Sequence, residues 1–335
     1  MRRYILRRVT FTVILLFGIS VLTFFLARVL PGDPGRMIAG QRASDEAVEN
    51  IREFYGLNGN IFEQYIHYMG NLLQGDLGVS IVSQRAVADD LGRLLPATLE
   101  LVLASLIIGA IIGIAVGLIS AIRRGKATDV GSRLFASGCL SVPDFWLGIL
   151  AQIVFFSMLG ILPFGDRLSL GVTPPPSVTG LYTVDALIAG QFGVFIDALA
   201  HLVMPAAILM LPLVGFLIRY VRMAMLNVLS QDFIRTARAK GLSPSRIYVH
   251  HALRNAMIPA LTITGLSLAF MMSGAVLVEY VFAWPGIGRF TAEAIASSDY
   301  NAIMAVTILA ASAYTMVNLI IDLLYTKLDP RIRLT

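Results

Sequence analysis

One cysteine, Cys139, four histidines and two tryptophans are spread over 335 residues, and only 14% of the chain is charged. A single cysteine excludes an internal disulfide and a thiolate metal cluster. The histidines (His67, His201, His250 and His251) form no H-E-x-x-H pattern, so a zinc-dependent hydrolase of that type is unsupported. No phosphate loop of the form G-x-x-x-x-G-K followed by Ser or Thr occurs. Gly125-Lys126 lacks both the preceding glycine and the following hydroxyl, which excludes ATP binding by that route. The G-x-S-x-G elbow is missing too, because Gly265-Leu266-Ser267 has no closing glycine. No catalytic residue, metal ligand set or cofactor site is therefore expected in this chain.

What is abundant is apolar surface: 57% of the residues are hydrophobic, whereas a soluble domain carries about 25% charge. The expected fold is all-α and polytopic in a membrane. The start has basic residues before an apolar run of about 20 residues, too long for a signal-peptide core, so it is expected to be retained as a first span. Six segments have the length and apolarity to cross the bilayer: 9–30, 97–122, 134–162, 197–218, 257–281 and 302–325. Most of the 26 Lys and Arg fall in the N-terminal tail and in 123–133, 219–254 and 327–333. The bias of Lys and Arg to the inner side then places both termini in the cytoplasm. The net charge of +5 follows from this bias and does not call for nucleic acid.

Between the first two spans lies an external helical region, residues 31–96. Ser44 can cap a helix from Asp45 that carries Val48, Ile51 and Phe54 at helical spacing. Phe62, Tyr65, Ile66, Met69 and Leu73 form a second apolar stripe, and Gly75-Asp76-Leu77-Gly78 breaks it. A third amphipathic piece, 87–95, leads to Pro96. This region is either a partner-facing cap on the outer membrane face or a packing lid. The second span carries Gly109, Gly113 and Gly117, spacing that permits close helix approach. In the third, Ser141-Val142-Pro143-Asp144-Phe145-Trp146 sets a kink and a carboxylate near the inner half; such an acid is a functional candidate or a helix-bonding group. Pro205 and Pro212 interrupt the fourth span, and Asp197 and His201 at its outer end are weak candidate ligands. Tyr280 and Trp284 suit an outer aromatic belt, and Pro285-Gly286-Ile287-Gly288 turns the chain back.

The longest basic stretch is Gln231–Thr262. It holds Arg235, Arg238, Lys240, Arg246, Arg254, His250 and His251 against one acid, Asp232. Phe233–Lys240 is predicted to be a short helix that Gly241 ends, and Ser243-Pro244 starts another. A basic helix–turn–helix between two spans suits docking on the cytoplasmic side, or an ordinary positive-inside loop.

Thr236-Ala237-Arg238-Ala239-Lys240-Gly241 and His251-Ala252-Leu253-Arg254-Asn255 resemble the EAA loop of permease subunits of binding-protein-dependent ABC importers. The form is that of the dipeptide, oligopeptide and nickel branch. The first of that branch's two permeases is matched by Leu30-Pro31-Gly32-Asp33-Pro34, Gly75-Asp76-Leu77-Gly78, Leu95-Pro96-Ala97-Thr98-Leu99 and the Ser141–Trp146 segment. Glu279 through Gly288 and Asp329-Pro330-Arg331 match it as well. The general motif has Glu where Arg235 stands and Pro where Arg254 stands; both changes are usual in the peptide branch.

The resemblance implies a type I ABC importer permease fold, divided into four parts. A tail and first span occupy 1–30, the external region 31–96, and a cytoplasmic tail 327–335. Between them lies a five-span core, 97–326, whose EAA loop covers about 228–256. It implies that Phe233, Ile234, Arg235, Thr236, Ala237, Arg238, Ala239, Lys240, Gly241, Leu242 and Ser243 form a coupling segment seated on an ATPase. The implied partners are a second homologous permease, two P-loop ATPase subunits that bind ATP and magnesium, an external substrate-binding protein and the lipid bilayer. Short peptides are the expected cargo, with nickel chelates, glutathione or another small solute as the alternative. A lone membrane hydrolase and a self-sufficient channel or ion-driven carrier are the competing classes. The first lacks a nucleophile or ligand set, and the second lacks a charged site at mid-span.

Overall fold

The computed structural model describes residues 2–29, 36, 43–54 and 59–328. Leu30-Pro31-Gly32-Asp33-Pro34 and Asp329-Pro330-Arg331 lie outside the described residues. The helices are α1 (Arg2–Val29), α2 (Asp45–Phe54), α3 (Ile61–Leu73), α4 (Val87–Ile122), α5 (Ala127–Ser141), α6 (Asp144–Ala151), α7 (Tyr182–Ile188), α8 (Phe192–Leu209), α9 (Leu211–Leu229), α10 (Asp232–Ala239), α11 (Arg254–Val281), α12 (Ile287–Ala296) and α13 (Tyr300–Leu328). Two π-helical stretches, Gln152–Met158 and Arg246–Leu253, follow α6 and precede α11. One antiparallel bridge, Val79 with Ala86, is the only β-pairing among the described residues.

Among the described residues, five helices are long and apolar enough to cross a membrane: Arg7–Leu26, Val87–Ile122, Phe192–Leu209, Leu211–Leu229 and Tyr300–Leu319. Two bent pairs pass the same test, Ala127–Ser141 with Asp144–Met158 at 101° and Arg246–Met257 with Pro259–Met272 at 52°. Among the described residues, five to seven elements thus have the length and apolarity to cross, where hydropathy predicts six. The sharp bend has a local cause. Val142 is extended at φ −105°, ψ 131° and Pro143 at ψ 133°, as the steric demand of a proline on its predecessor requires.

Two predicted elements are drawn differently. The expected fourth span is two helices, because α8 ends at Leu209 and α9 begins at Leu211 with Pro212 in its first turn. Pro205 is accommodated inside α8. Conversely, the amphipathic piece 87–95 is continuous with the second span. Pro96 sits inside the single 36-residue helix α4, removing one ladder donor without ending it.

Contacts divide the chain into two compact units. The first comprises the described residues of 2–95 and Phe290–Met316. In it Ser44 caps α2 as predicted, its Oγ accepting from the Ala47 N–H at 3.2 Å, and Val48 is buried. The side chains of Ile51 and Phe54 lie outside the described residues. Asn60 caps α3 in a reciprocal box with Glu63. The predicted stripe of α3 is split. Tyr65 joins Tyr68 against Phe24 of α1 and meets Ser20 at 2.9 Å, whereas Phe62, Ile66 and Leu73 stand 71%, 70% and 81% exposed. Gly75 and Gly78 both take positive φ, +83° and +79°, which accounts for the break after α3. Asp299 anchors the following loop by accepting from the Ser80 hydroxyl at 2.6 Å and the Ile81 N–H at 2.7 Å.

The second unit comprises Pro96–Arg289 and the described residues from Val317 to Leu328. Its core runs along α9, through Leu213, Leu217, Val221 and Met225. The glycine ladder of α4 lies against this helix. A Cβ at Gly109 would stand 3.0 Å from that of Met210, one at Gly113 2.6 Å from that of Leu217, and one at Gly117 2.9 Å from that of Val221. Absent side chains let the backbones approach, the main source of helix association where lipid and core are equally apolar.

Candidate coupling site

The basic segment folds as its residue types direct. Asp232 sits in the first turn of α10 and Arg238 in the last, each with the sign the helix dipole favours at that end. Ile234 and Ala237, three residues apart, are the buried side chains of the helix. They join the cluster that contains Met225 and Val228 of α9 and Ile247 and Ala252 of the π-helical stretch. This two-residue keel fixes which way the helix faces.

The stop is equally specific. Gly241 takes φ +75°. Its N–H bonds to the Arg238 carbonyl at 2.9 Å, and the Leu242 N–H bonds to the Ala237 carbonyl at 3.3 Å. That double return is the Schellman closure, which places glycine at the left-handed position. Among the described residues nothing lies within 4 Å of a Cβ at Gly241, so the glycine is needed here for its dihedral.

From Phe233 to Ser243, Leu242 is half-buried, and every side chain besides it, Ile234 and Ala237 is exposed. The outer face presents Phe233, Arg235, Thr236, Arg238, Ala239 and Lys240, with Gly241 and Ser243 just beyond. Arg235 pairs with Asp232 at 3.4 Å, both heads largely in solvent, and such a pair contributes about 0.3–0.5 kcal/mol. The surface offers three cationic heads beside an aromatic ring. It holds no nucleophile–base pair, and among the described residues no three His, Cys, Asp or Glu side chains are grouped to hold a metal.

The elements behind this surface are tied by a group that a positive-inside pattern hides. Asp129, the one acid in the basic loop 123–133, is 1% exposed. Its carboxylate accepts from Arg222 Nε at 2.6 Å and Nη2 at 2.9 Å. Ser120 Oγ at 2.7 Å and the Gly125 N–H at 2.9 Å complete its shell. One carboxylate thus joins α4, its following turn, α5 and α9, in the bidentate geometry that arginine alone supplies.

Elsewhere the sequence candidates separate. Asp197 and His201 are structural: Asp197 accepts from the Ser169 N–H and Oγ, each at 2.7 Å, and His201 Nδ1 contacts the Asp197 carbonyl at 2.9 Å. Trp284 does not belong to an aromatic belt. It is 1% exposed and its indole N–H donates to the Ala97 carbonyl at 2.9 Å, because the turn after α11 folds the ring inward; Tyr280 does face outward. Two buried polar knots were not foreseen. Glu279 receives the Thr98 hydroxyl and the N–H groups of Gly288 and Arg289. Arg167 pairs with Glu100 at 2.6 Å and lies 3.5 Å over the Tyr182 ring. Glu100 stands among apolar neighbours in sequence, and that was the available signal.

Residues 113–334 match the family described as binding-protein-dependent transport system inner membrane component. Residues 1–102 match the N-terminal region described for such membrane components. Among individual proteins, the chain is 44% identical over 320 residues to the probable D,D-dipeptide transport system permease protein DdpB of Escherichia coli (strain K12), covering 96% of this chain and 94% of the relative. It is 40% identical over 338 residues to the di/tripeptide transport system permease protein DppB of Pseudomonas aeruginosa, covering 99% of each. With the glutathione transport system permease protein GsiC of Escherichia coli it shares 36% identity over 333 residues, again covering 99% of each.

Proposed function

We propose that this chain, which belongs to the binding-protein-dependent transport system inner membrane component family, forms half of the translocation pathway of an ATP-driven importer of short peptides. Both termini face the cytoplasm in this reading, which rests on the Lys and Arg bias. The surface from Phe233 to Ser243 seats on an ATPase subunit. A second, homologous permease completes the pathway, a second ATPase completes the motor, and an external binding protein delivers the cargo. No ATP or magnesium site belongs to this chain.

The observation that carries the coupling role is α10 itself: a short helix held to the core by Ile234 and Ala237 alone, with the rest of its surface turned outward. A helix anchored on one face transmits a push on the other to α9 and α11, whose residues share its cluster. The cargo assignment is supported by full-length similarity to the two peptide permeases. Glutathione, itself a small peptide, is the second reading, favoured by the similarity to the glutathione permease.

The test is a mild-detergent pull-down of the tagged chain from its native membrane, followed by mass spectrometry and peptide uptake in liposomes. Recovery of a second permease and one or two P-loop ATPases, with ATP-dependent uptake of a dipeptide, is the expected result. Recovery of this chain alone, still transporting without ATP, overturns the proposal.

A further inference from the structure

Two breaks in the helices of the second unit open onto the same space. The 101° bend between α5 and α6 places Asp144 at the first position of α6. The α8–α9 interruption places Leu209 and Pro212 nearby, and α11 supplies a third wall. Together they line a partly open cavity of about 140 Å³. Phe216, Phe270 and Met271 are among its apolar lining, Ser267 adds a hydroxyl, and Asp144 is the one charged residue that lines it.

A carboxylate inside a membrane-spanning region is costly unless a cation or a set of donors meets it. Asp129, Glu100 and Glu279 each have such partners on the page: an arginine for the first two, a hydroxyl and two N–H groups for the third. The cavity lining supplies Asp144 with no Lys, Arg or His. Broken helices around a central site are also where membrane transporters hold cargo, since irregular backbone is tolerated there only when it lines a cavity.

We infer that Asp144 is a way-station for the free α-ammonium group of the cargo as it crosses. An ammonium head brings three donors to a carboxylate that can only accept. The Phe216 and Phe270 side chains provide aromatic surface of the kind cations favour. The Ser267 hydroxyl can accept a further N–H, and the apolar wall accommodates a small side chain. A neutral solute gains nothing from this arrangement. The inference rests on the peptide-importer reading and adds to it a specificity group inside the permease, separate from the binding protein.

The assembled importer, with its second permease, ATPases and binding protein, is reconstituted in liposomes, and ATP-driven uptake of radiolabelled Ala-Ala is measured for wild type, Asp144→Asn and Asp144→Glu. Assembly with the ATPases and Ala-Ala affinity of the binding protein are measured in parallel. Expected is a loss of about tenfold or more in Asp144→Asn, the scale of one charged hydrogen bond. Asp144→Glu, which restores the charge, is expected to recover most of that uptake with assembly intact. Equal uptake by wild type and Asp144→Asn overturns the inference and leaves the peptide reading standing. A loss that Asp144→Glu does not restore, or one accompanied by failed assembly, assigns a structural role and also overturns it. If wild type carries no peptide, both the reading and the inference fall.

Discussion

The Thr98 hydroxyl donates to Glu279 Oε1 at 2.7 Å, joining α4 to the last turn of α11. The other oxygen of the same carboxylate takes the Gly288 N–H at 2.7 Å and the Arg289 N–H at 3.1 Å, so Glu279 also satisfies the open donors at the start of α12. Thr98 in turn accepts the Ile287 N–H at 2.8 Å. Both side chains are buried. Replacing Glu279 by Ala strands several donors at once and should cost about 3 kcal/mol or more. Gln, which keeps one acceptor oxygen, should fall between Ala and wild type. Thermal unfolding of the purified chain in detergent ranks the three; equal melting of Ala and wild type would dismiss the role assigned to this carboxylate.

The α4–α9 contact makes a second, steric prediction. Gly113→Ala puts a methyl 2.6 Å from the Leu217 Cβ and should destabilise by about 1–3 kcal/mol through overpacking. Gly138→Ala in α5 meets nothing within 4 Å, and should be neutral or gain up to about 1 kcal/mol from helix propensity. Melting temperatures of the two variants should therefore move in different directions, or one of them not at all.

Breaking the Asp129–Arg222 pair leaves a carboxylate buried without its guanidinium. Arg222→Ala should cost about 3–5 kcal/mol, and Arg222→Lys should recover only part, because a single ammonium cannot reproduce the fork. Protease resistance of residues 123–133 in the detergent-purified protein reports the loss. Indistinguishable digestion of the Ala variant and wild type would show that the pair is dispensable.

At Gly241 the expected penalty is conformational. Ala at φ +75° should cost about 1–2 kcal/mol, and Asn, the better left-handed residue, should cost less. Gly241→Arg adds bulk to the exposed surface and, in the proposed coupling role, should abolish recovery of the ATPase in a pull-down. If all three variants recover the ATPase equally, the surface is an inert loop.

Acid should loosen the loop held by Asp185. Burial pushes this carboxyl up, but hydrogen bonds outweigh it, first from the Thr179 hydroxyl at 2.7 Å and then from the N–H groups of Thr179, Gly180 and Val178, and hold it below the ordinary value of 3.8. A depressed folded value means that the stabilisation is complete above about 3.8 and is lost as pH falls through the folded value. Hydrogen exchange of residues 178–185 should therefore rise below pH 4 in wild type. Asp185→Asn should exchange faster at neutral pH and show no such acid step; an acid step of the same size in Asp185→Asn would assign it to another group.

Composition and periodicity alone carried the fold class, the spans at the N-terminus and in α4, the cap at Ser44 and the stop at Gly241. Each rests on a local rule: the length needed to cross hydrocarbon, a side-chain oxygen over an open helix end, a dihedral that only glycine takes freely. The glycine ladder was equally legible, though its partner helix was not. The short basic helix expected over Phe233–Lys240 and stopped at Gly241 is found at Asp232–Ala239, one residue earlier at each end. Which of its side chains turn inward depended on where Ile234 and Ala237 find apolar neighbours, and those come from α9 and the stretch before α11.

Tertiary structure decided the rest, for the same reason throughout: a charge in a membrane protein takes its meaning from partners far away in sequence. Asp129 and Arg222 are 93 residues apart, Thr98 and Glu279 181, and Glu100 and Arg167 67. No window along the chain contains both members of such a pair. Trp284 was misplaced on these grounds, since an indole after a span suits a lipid interface until the fold brings the Ala97 carbonyl within reach of its N–H. Asp144 is the converse case. Its place in the Ser141–Trp146 segment marked it as a candidate, but only the meeting of two broken helices set it in a cavity lined by no opposing charge.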